Sequence, residues 1–316
     1  MAQIAVGAVN RIGSDTQSQA LAVRQTSQPA VSQLPTKSTR ETLPPLDIPH
    51  IPWSEVGPEF ILRWGYPDGK FSPEHIEILG PTGTGKTRFE RTILAERVGI
   101  RESAAIFIAT KKIDKEILRL GWPVVDDWQA VNTHPQVIYW PRTNLLGRRR
   151  DMFMAAKIED LLAHLWGENA YVIIAFDEIA TVEGLSPDLK SMIRMFWREA
   201  RSHGITIVAM KQRPQGIQRD MHSETSWIAC FKPKDEDDAK RYAEVLGSRA
   251  LWLPVLMGLN RNRYEFVLKY ERTGEAVISW VDFNLPPPAK PERGHYHPVR
   301  SELSERKLQN ASTSRG

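Results

Sequence analysis

Residues Ile76-Glu77-Ile78-Leu79-Gly80-Pro81-Thr82-Gly83-Thr84-Gly85-Lys86-Thr87 decide the reading of the chain. A short apolar run enters a glycine-rich turn that fits G-x-x-x-x-G-K-[ST], and residues 86–98 after it have a helical pattern. Phosphate oxygens need backbone N–H groups at close range, which glycine permits, with the positive end of a helix behind them. The motif predicts a phosphate-binding loop of Gly80, Pro81, Thr82, Gly83, Thr84, Gly85, Lys86 and Thr87. Lys86 would bridge the β- and γ-phosphates and Thr87 would place its hydroxyl on Mg2+, so ATP and Mg2+ are the expected cofactors.

A second apolar run, Tyr171-Val172-Ile173-Ile174-Ala175-Phe176, leads straight into Asp177-Glu178. Two acids at the end of a buried strand put charge at the carboxyl edge of a sheet, where the phosphate loop also lies. Asp177 is expected to hold the magnesium through water and Glu178 to polarise an attacking water. A small-molecule kinase has no need of the second acid, whereas a hydrolase does. The bland alternative is an acidic helix start, since carboxylates favour that position.

Working outward, short apolar runs alternate with amphipathic stretches, the pattern of an α/β fold with a mostly parallel sheet covered by helices. Strands are expected at Ile76–Leu79, Ala105–Ala109, Val137–Trp140, Tyr171–Phe176, Ile205–Ala209 and Trp227–Phe231. Helices are expected near 86–98, 151–166, 187–203 and 235–246. The runs Tyr264–Tyr270 and Ala276–Val281 flank Arg272-Thr273-Gly274 and read as a closing hairpin. Residues 1–46, rich in Gln, Ser, Thr, Ala and Pro, read as a disordered arm. Residues 47–73 read as a lead-in and flap packing on the core, 74–284 as the main domain, and 285–316, opened by Pro286-Pro287-Pro288, as a mobile tail.

The run Ile205-Thr206-Ile207-Val208-Ala209 is followed by Met210-Lys211-Gln212-Arg213-Pro214. In phosphate-loop ATPases with the acid pair on a separate strand, one more strand normally runs between loop strand and acid strand. Its end then lies beside the γ-phosphate, and Gln212 is the candidate sensor of phosphate or water. Arg201 and Arg213 are candidates for an arginine that completes a neighbouring subunit's site. Arg194, Arg198 and Arg201 also fit a solvated helix face, with Met192, Met195 and Phe196 forming the core-facing stripe.

The stretch Arg198 to Pro214 resembles the sensor region of the FtsK/HerA-type DNA-pumping ATPases: an arginine, then Gly204-Ile205, an apolar strand and Gln212-Arg213-Pro214. The order of phosphate loop, acid pair and sensor stretch is similar too. So is Ile106-Phe107-Ile108-Ala109-Thr110-Lys111-Lys112-Ile113-Asp114, with its lysine-bearing strand end. The resemblance spans roughly residues 74–246. It implies a RecA-like P-loop NTPase fold, a homo-oligomeric ring that is usually a hexamer, magnesium-dependent ATP hydrolysis and threading of double-stranded DNA. Lys211 departs from the family, which usually has a small or hydroxyl residue there. The expectation is a ring motor translocating double-stranded DNA, packaging or transferring a viral or mobile-element genome. The alternatives are a P-loop motor acting on protein, in secretion or phage assembly, and a non-catalytic nucleotide switch.

Composition bounds the rest. The 316 residues hold 42 Lys+Arg against 38 Asp+Glu and a single cysteine. One thiol excludes an internal disulfide and a thiolate zinc site, and the chain reads as cytoplasmic. No apolar run approaches the ~20 residues of a membrane helix. Arg11, Arg24, Lys37 and Arg40 against Asp15 and Glu41 make residues 1–46 net +2, and residues 285–316 are net +3, leaving −1 between them. The basic balance therefore belongs to the ends of the chain. Arg142 and Arg148-Arg149-Arg150 form the dense basic run of the middle, readable as a pore loop gripping phosphates or as a solvated loop. Lys111 and Lys112 pose the same choice. Trp53, Trp64, Trp252 and Trp280 read as core or interface, and Cys230 as a buried small hydrophobe.

Overall fold

The computed structural model describes residues 46–65, 72–100, 104–112, 114–168, 171–212 and 223–281. The expected arm, apart from residue 46, and the expected tail lie outside the described residues, as does Arg213.

Apolar runs without polar alternation need cover on both faces, and that requirement sets the architecture. The strands are β1 (His75–Leu79), β2 (Ala104–Ile108), β3 (Val124–Val125), β4 (Gln136–Tyr139), β5 (Val172–Phe176), β6 (Thr206–Lys211), β7 (Thr225–Phe231), β8 (Phe266–Tyr270) and β9 (Ala276–Ser279). They form one nine-stranded sheet in the order β3-β4-β2-β5-β6-β1-β7-β8-β9. Pairing is parallel from β3 through to β7. It turns antiparallel at β7–β8 and β8–β9, the closing hairpin. All residues of β1, β5, β6, β7 and β8 are buried.

One face is covered by α1 (Trp53–Gly65), α2 (Lys86–Ile100) and the short α3 (Lys115–Leu118). Trp53, Phe60, Ile61 and Trp64 of α1 join Phe89, Ile93 and Leu94 of α2 in a core with Ile76, Ile78, Phe107 and Val208 of the sheet. Each such fully buried side chain is worth roughly 1.5–3 kcal/mol. The chain before α1 lies along β9, where Ile51 N–H donates to Ile278 O at 2.9 Å and Ile278 N–H to Pro49 O at 2.9 Å.

The other face carries α4 (Gly147–Glu168), α5 (Ile179–Glu183) and α6 (Pro187–Glu199) over β2, β4, β5 and β6. Beyond them α7 (Glu236–Val245) and α8 (Arg249–Gly258) cover β1, β7 and β8. The apolar stripe of α6 is Leu189, Ile193, Phe196 and Trp197; Met192 and Met195, expected to lead that stripe, flank it half-buried. Helix α6 gives way at Ala200–His203 to a 3-10 turn that ends at Gly204 in the left-handed region, φ 76°. Among the described residues no helix is long and apolar enough to cross a membrane.

Lys211 is buried in the sheet and pairs with the fully buried Glu77 of β1, with its ammonium 5.7 Å from the Trp197 ring. The departure from the family pattern therefore has a local reason. A buried acid on β1 demands a cation, and the last residue of β6 supplies it.

Candidate nucleotide site

The register of β1 against β6 sets Leu79 opposite Lys211, so the glycine-rich loop and Gln212 leave the sheet side by side. Gly80 N–H donates to Lys211 O at 3.2 Å. Gly80 has φ 150°, and a Cβ there would lie 2.7 Å from Phe231 Cβ, so the loop's first residue must be glycine. Gly85, at φ 98°, is backed by the Tyr264 ring, which a Cβ would meet at 3.1 Å. Lys86 and Thr87 then open α2. The loop is folded over the Lys86 ammonium, which donates to Pro81 O at 2.8 Å, while Thr84 Oγ1 donates to the same carbonyl at 2.8 Å. Burial pushes the Lys86 ammonium down to about 8, against the pull of Glu178.

Strand β6 runs between β5 and β1, as expected for the sensor strand. Gln212 is consequently placed between loop and acid pair. Its Oε1 accepts from Thr82 Oγ1 at 3.0 Å, and its main chain and side-chain amide lie close enough to the Glu178 carboxyl to favour its charged form. Tyr242 of α7 donates its hydroxyl to Gln212 O at 2.9 Å, fixing the main chain. Burial raises the carboxyl of Glu178, while Lys86 and Gln212 hold it back.

Asp177 is buried at the end of β5, and burial raises its carboxyl too. Lys111, leaving the end of the neighbouring β2, reaches it: Nζ is 2.7 Å from Asp177 Oδ2 and 3.0 Å from Oδ1. Glu90, one turn after Lys86 on α2, is fully buried close by, with its carboxyl pushed well above the ordinary range by burial and then by Asp177. Beside the loop opens a cleft of about 310 Å³ lined by Pro81, Thr82, Gln212, Lys234, Asp238 and Arg261.

Gly80 through Thr87, Asp177, Glu178 and Gln212 thus converge at the carboxyl edge. Arg201 does not join them. It precedes β6, at the amino edge, where its Nε donates to Pro73 O at 2.9 Å. The six residues of β6 separate it from Gln212, about 20 Å at ~3.3 Å per residue. The direction of β6 thus keeps Arg201 away from the phosphate loop of its own chain. In the basic run, Arg148 and Arg149 are exposed, whereas Arg150 Nη2 donates to Thr110 O at 2.6 Å and is structural. The sequence reading left Lys111 as an undecided loop lysine and passed over Lys234, Arg261 and Tyr264. The available signal for Lys111 was its place at the carboxyl end of a strand beside the acid strand.

Topology, phosphate loop and acid strand together define a P-loop NTPase fold. It is similar to the genome-packaging NTPase B204 of Sulfolobus turreted icosahedral virus 2 solved with sulfate, at TM-score 0.52 and 12 % identity over 67 % of this chain and 98 % of that one. It is also similar to VirB4 of Thermoanaerobacter pseudethanolicus, at TM-score 0.51 and 9 % identity over 66 % of this chain and 89 % of that one. No protein-family profile and no curated protein matches the sequence.

Proposed function

We propose that the chain is an ATP-hydrolysing ring motor that moves double-stranded DNA, packaging or transferring a viral or mobile-element genome. The observation that carries the hydrolytic part is the placing of Gln212 as a bridge between Thr82 of the phosphate loop, from which it accepts, and Glu178 of the acid pair, whose charged form it favours. A site that only held nucleotide would have no use for such a bridge. The residues fit ATP with magnesium: a glycine-rich loop whose first residue admits no Cβ and whose three glycines all have positive φ, a desolvated lysine beneath it, and a buried carboxylate already facing a cation. Thr87 and Asp177 would hold the metal, which when bound neutralises charge between the β- and γ-phosphates. Lys86 would exchange its bond to Pro81 O for phosphate oxygens. Glu178 would accept a proton from the attacking water, oriented by the Gln212 amide.

The DNA part is supported by the exposed Arg142, Arg148 and Arg149 at the same edge, which suit phosphate contacts without base reading. The likeness of fold to a genome-packaging NTPase agrees with it. Arg201, held at the opposite edge, would serve a neighbour's site in the ring.

The test is steady-state ATP hydrolysis with and without linear double-stranded DNA, with Glu178→Gln as the control. The expected result is stimulation by DNA and a loss of roughly 100-fold or more in the variant. Hydrolysis indifferent to DNA would overturn the DNA part in favour of a protein-directed motor. Absence of hydrolysis would favour a nucleotide switch.

A further inference from the structure

We propose that Lys111 is a tethered cation that competes with the divalent metal for Asp177, and that Asp114 receives its ammonium when the metal takes over. The inference rests on the reading of Asp177 as the metal-holding acid. Lys111 Nζ bridges two carboxylates, Asp177 at 2.7 Å and Asp114 Oδ2 at 3.2 Å. The partners differ in freedom. The Asp177 side chain is 0 % exposed and Asp114 9 %, whereas that of Lys111 is 46 % exposed. The carboxylates are therefore fixed and the lysine is the part that can swing.

Its starting point is fixed as well. Trp140 Nε1 donates to Lys111 O at 2.7 Å, and Arg150 donates to the preceding carbonyl, Thr110 O, at 2.6 Å. The main chain is thus held on the β4 side, and motion is confined to the side chain. Asp114 is preset to receive it. Its Oδ1 caps α3 by accepting from the N–H groups of Glu116 at 3.0 Å and Ile117 at 3.1 Å, which leaves Oδ2 directed at Lys111. The ammonium can give up Asp177 and keep a partner.

The physical need is clear from the neighbours. Asp177 and Glu90 are both buried acids, and an uncompensated charge there is costly. Lys111 supplies the compensating charge before magnesium arrives, and its withdrawal to Asp114 makes room. Lys111 is a positioning residue in this scheme, acting on the metal through Asp177.

The experiment uses the full chain, a non-hydrolysable ATP analogue and Mn2+, with free Mn2+ followed by electron paramagnetic resonance. Lys111→Met should bind Mn2+ about tenfold more tightly, the scale on which a nearby opposite charge alters a carboxylate's affinity for a cation. Its affinity for the metal-free analogue should stay the same or fall, because a positive charge near phosphate is lost. Asp114→Asn keeps the helix cap but weakens the alternative partner, so it should bind Mn2+ less tightly. Lys111→Arg should stay closer to the parent than Lys111→Met.

A residue that merely supported the fold would move metal and nucleotide affinities in the same direction. Mn2+ affinity unchanged or reduced in Lys111→Met overturns the inference while leaving Asp177 as the metal-holding acid. Should Lys111→Met not fold, unchanged or tighter Mn2+ binding in Asp114→Asn overturns it equally. A parent protein that binds the analogue but no Mn2+ overturns both this inference and the reading of Asp177.

Discussion

Just before β1, at its amino end, Glu74 is held by three donors that the fold brings from far away in sequence. They are Trp227 Nε1 at 2.8 Å, Tyr270 OH at 3.1 Å and Arg272 at 3.2 Å. Its own carbonyl accepts from Trp64 Nε1 at 2.7 Å, tying α1 to the same point. At the carboxyl edge Asp177 and Glu178 are also desolvated acids, and burial raises all three. Their partners, however, are a half-exposed lysine and the exposed Gln212. The same desolvation is offset at one end by two aromatic donors buried in the core, with the half-exposed Arg272 beside them, and at the other by groups none of which is locked in the core. Buried acids of the first kind fasten the fold; those of the second kind would, in the proposed site, meet an incoming cation or water.

Removing the fastened acid should have the larger effect on stability. Glu74→Ala leaves Trp227 and Tyr270 without their acceptor and is expected to cost about 2–4 kcal/mol of unfolding free energy. Hydrolysis per folded molecule should be unchanged, measured beside urea unfolding. A variant that unfolds like the parent but hydrolyses poorly would break the contrast between the two ends.

Removing the exposed amide at the other end should do the reverse. Gln212→Ala is expected to keep its stability within about 0.5 kcal/mol. Hydrolysis should fall roughly 10- to 100-fold, as when one preorganised donor is lost from a polar site. Binding of a non-hydrolysable analogue separates this from lost affinity: affinity should hold while turnover drops. Destabilisation without loss of turnover would make Gln212 a strut like Glu74.

Much of this was legible before the structure. Six of the seven parallel strands emerge within about two residues of their expected limits, because strands covered on both faces read as uninterrupted apolar runs, whereas the two-residue β3 at the sheet edge is too short and too exposed to show one. The phosphate loop and acid pair are local in sequence, and their convergence follows from the sheet's polarity. The two longer helices absent from the expected set, α1 and α8, each contain a proline, Pro58 and Pro254, a residue that disfavours a helix interior. Aromatic and aliphatic burial on the sheet overrides that cost. Lys111 on Asp177, Tyr242 on Gln212 and Lys211 on Glu77 depend on register between elements far apart in sequence, which periodicity does not encode. Arg201 lies at the amino edge because the 3-10 turn that holds it precedes β6, a full strand length from the residue that follows the strand.

The smallest expected effect sharpens the comparison through His75, beside Glu74 at the closed end. The His75 ring is fully buried 5.2 Å from Trp197, and its Nδ1 accepts from Ile207 N–H at 3.0 Å. Burial, reinforced by the charge of Arg201 and outweighing the main-chain contact with Trp197, lowers it to about 3. The unfolded chain takes up a proton below about pH 6.5, and the native ring stays neutral until pH falls much further. Stability is therefore lost as pH falls from 6.5 towards 3, by about 1–2 kcal/mol between pH 7 and pH 5. The buried acids with raised values contribute with the opposite sign, since they release protons on unfolding above the ordinary carboxylate range. They are shared by parent and variant, so their share cancels in the difference. His75→Asn keeps an acceptor for Ile207 and cannot titrate. It should be less stable at pH 7, for want of packing against Trp197, yet lose less stability by pH 5. Parallel unfolding curves for the two proteins across that interval would mean that the closed end admits a proton, and that its acids and imidazole are less securely held than those at the open end.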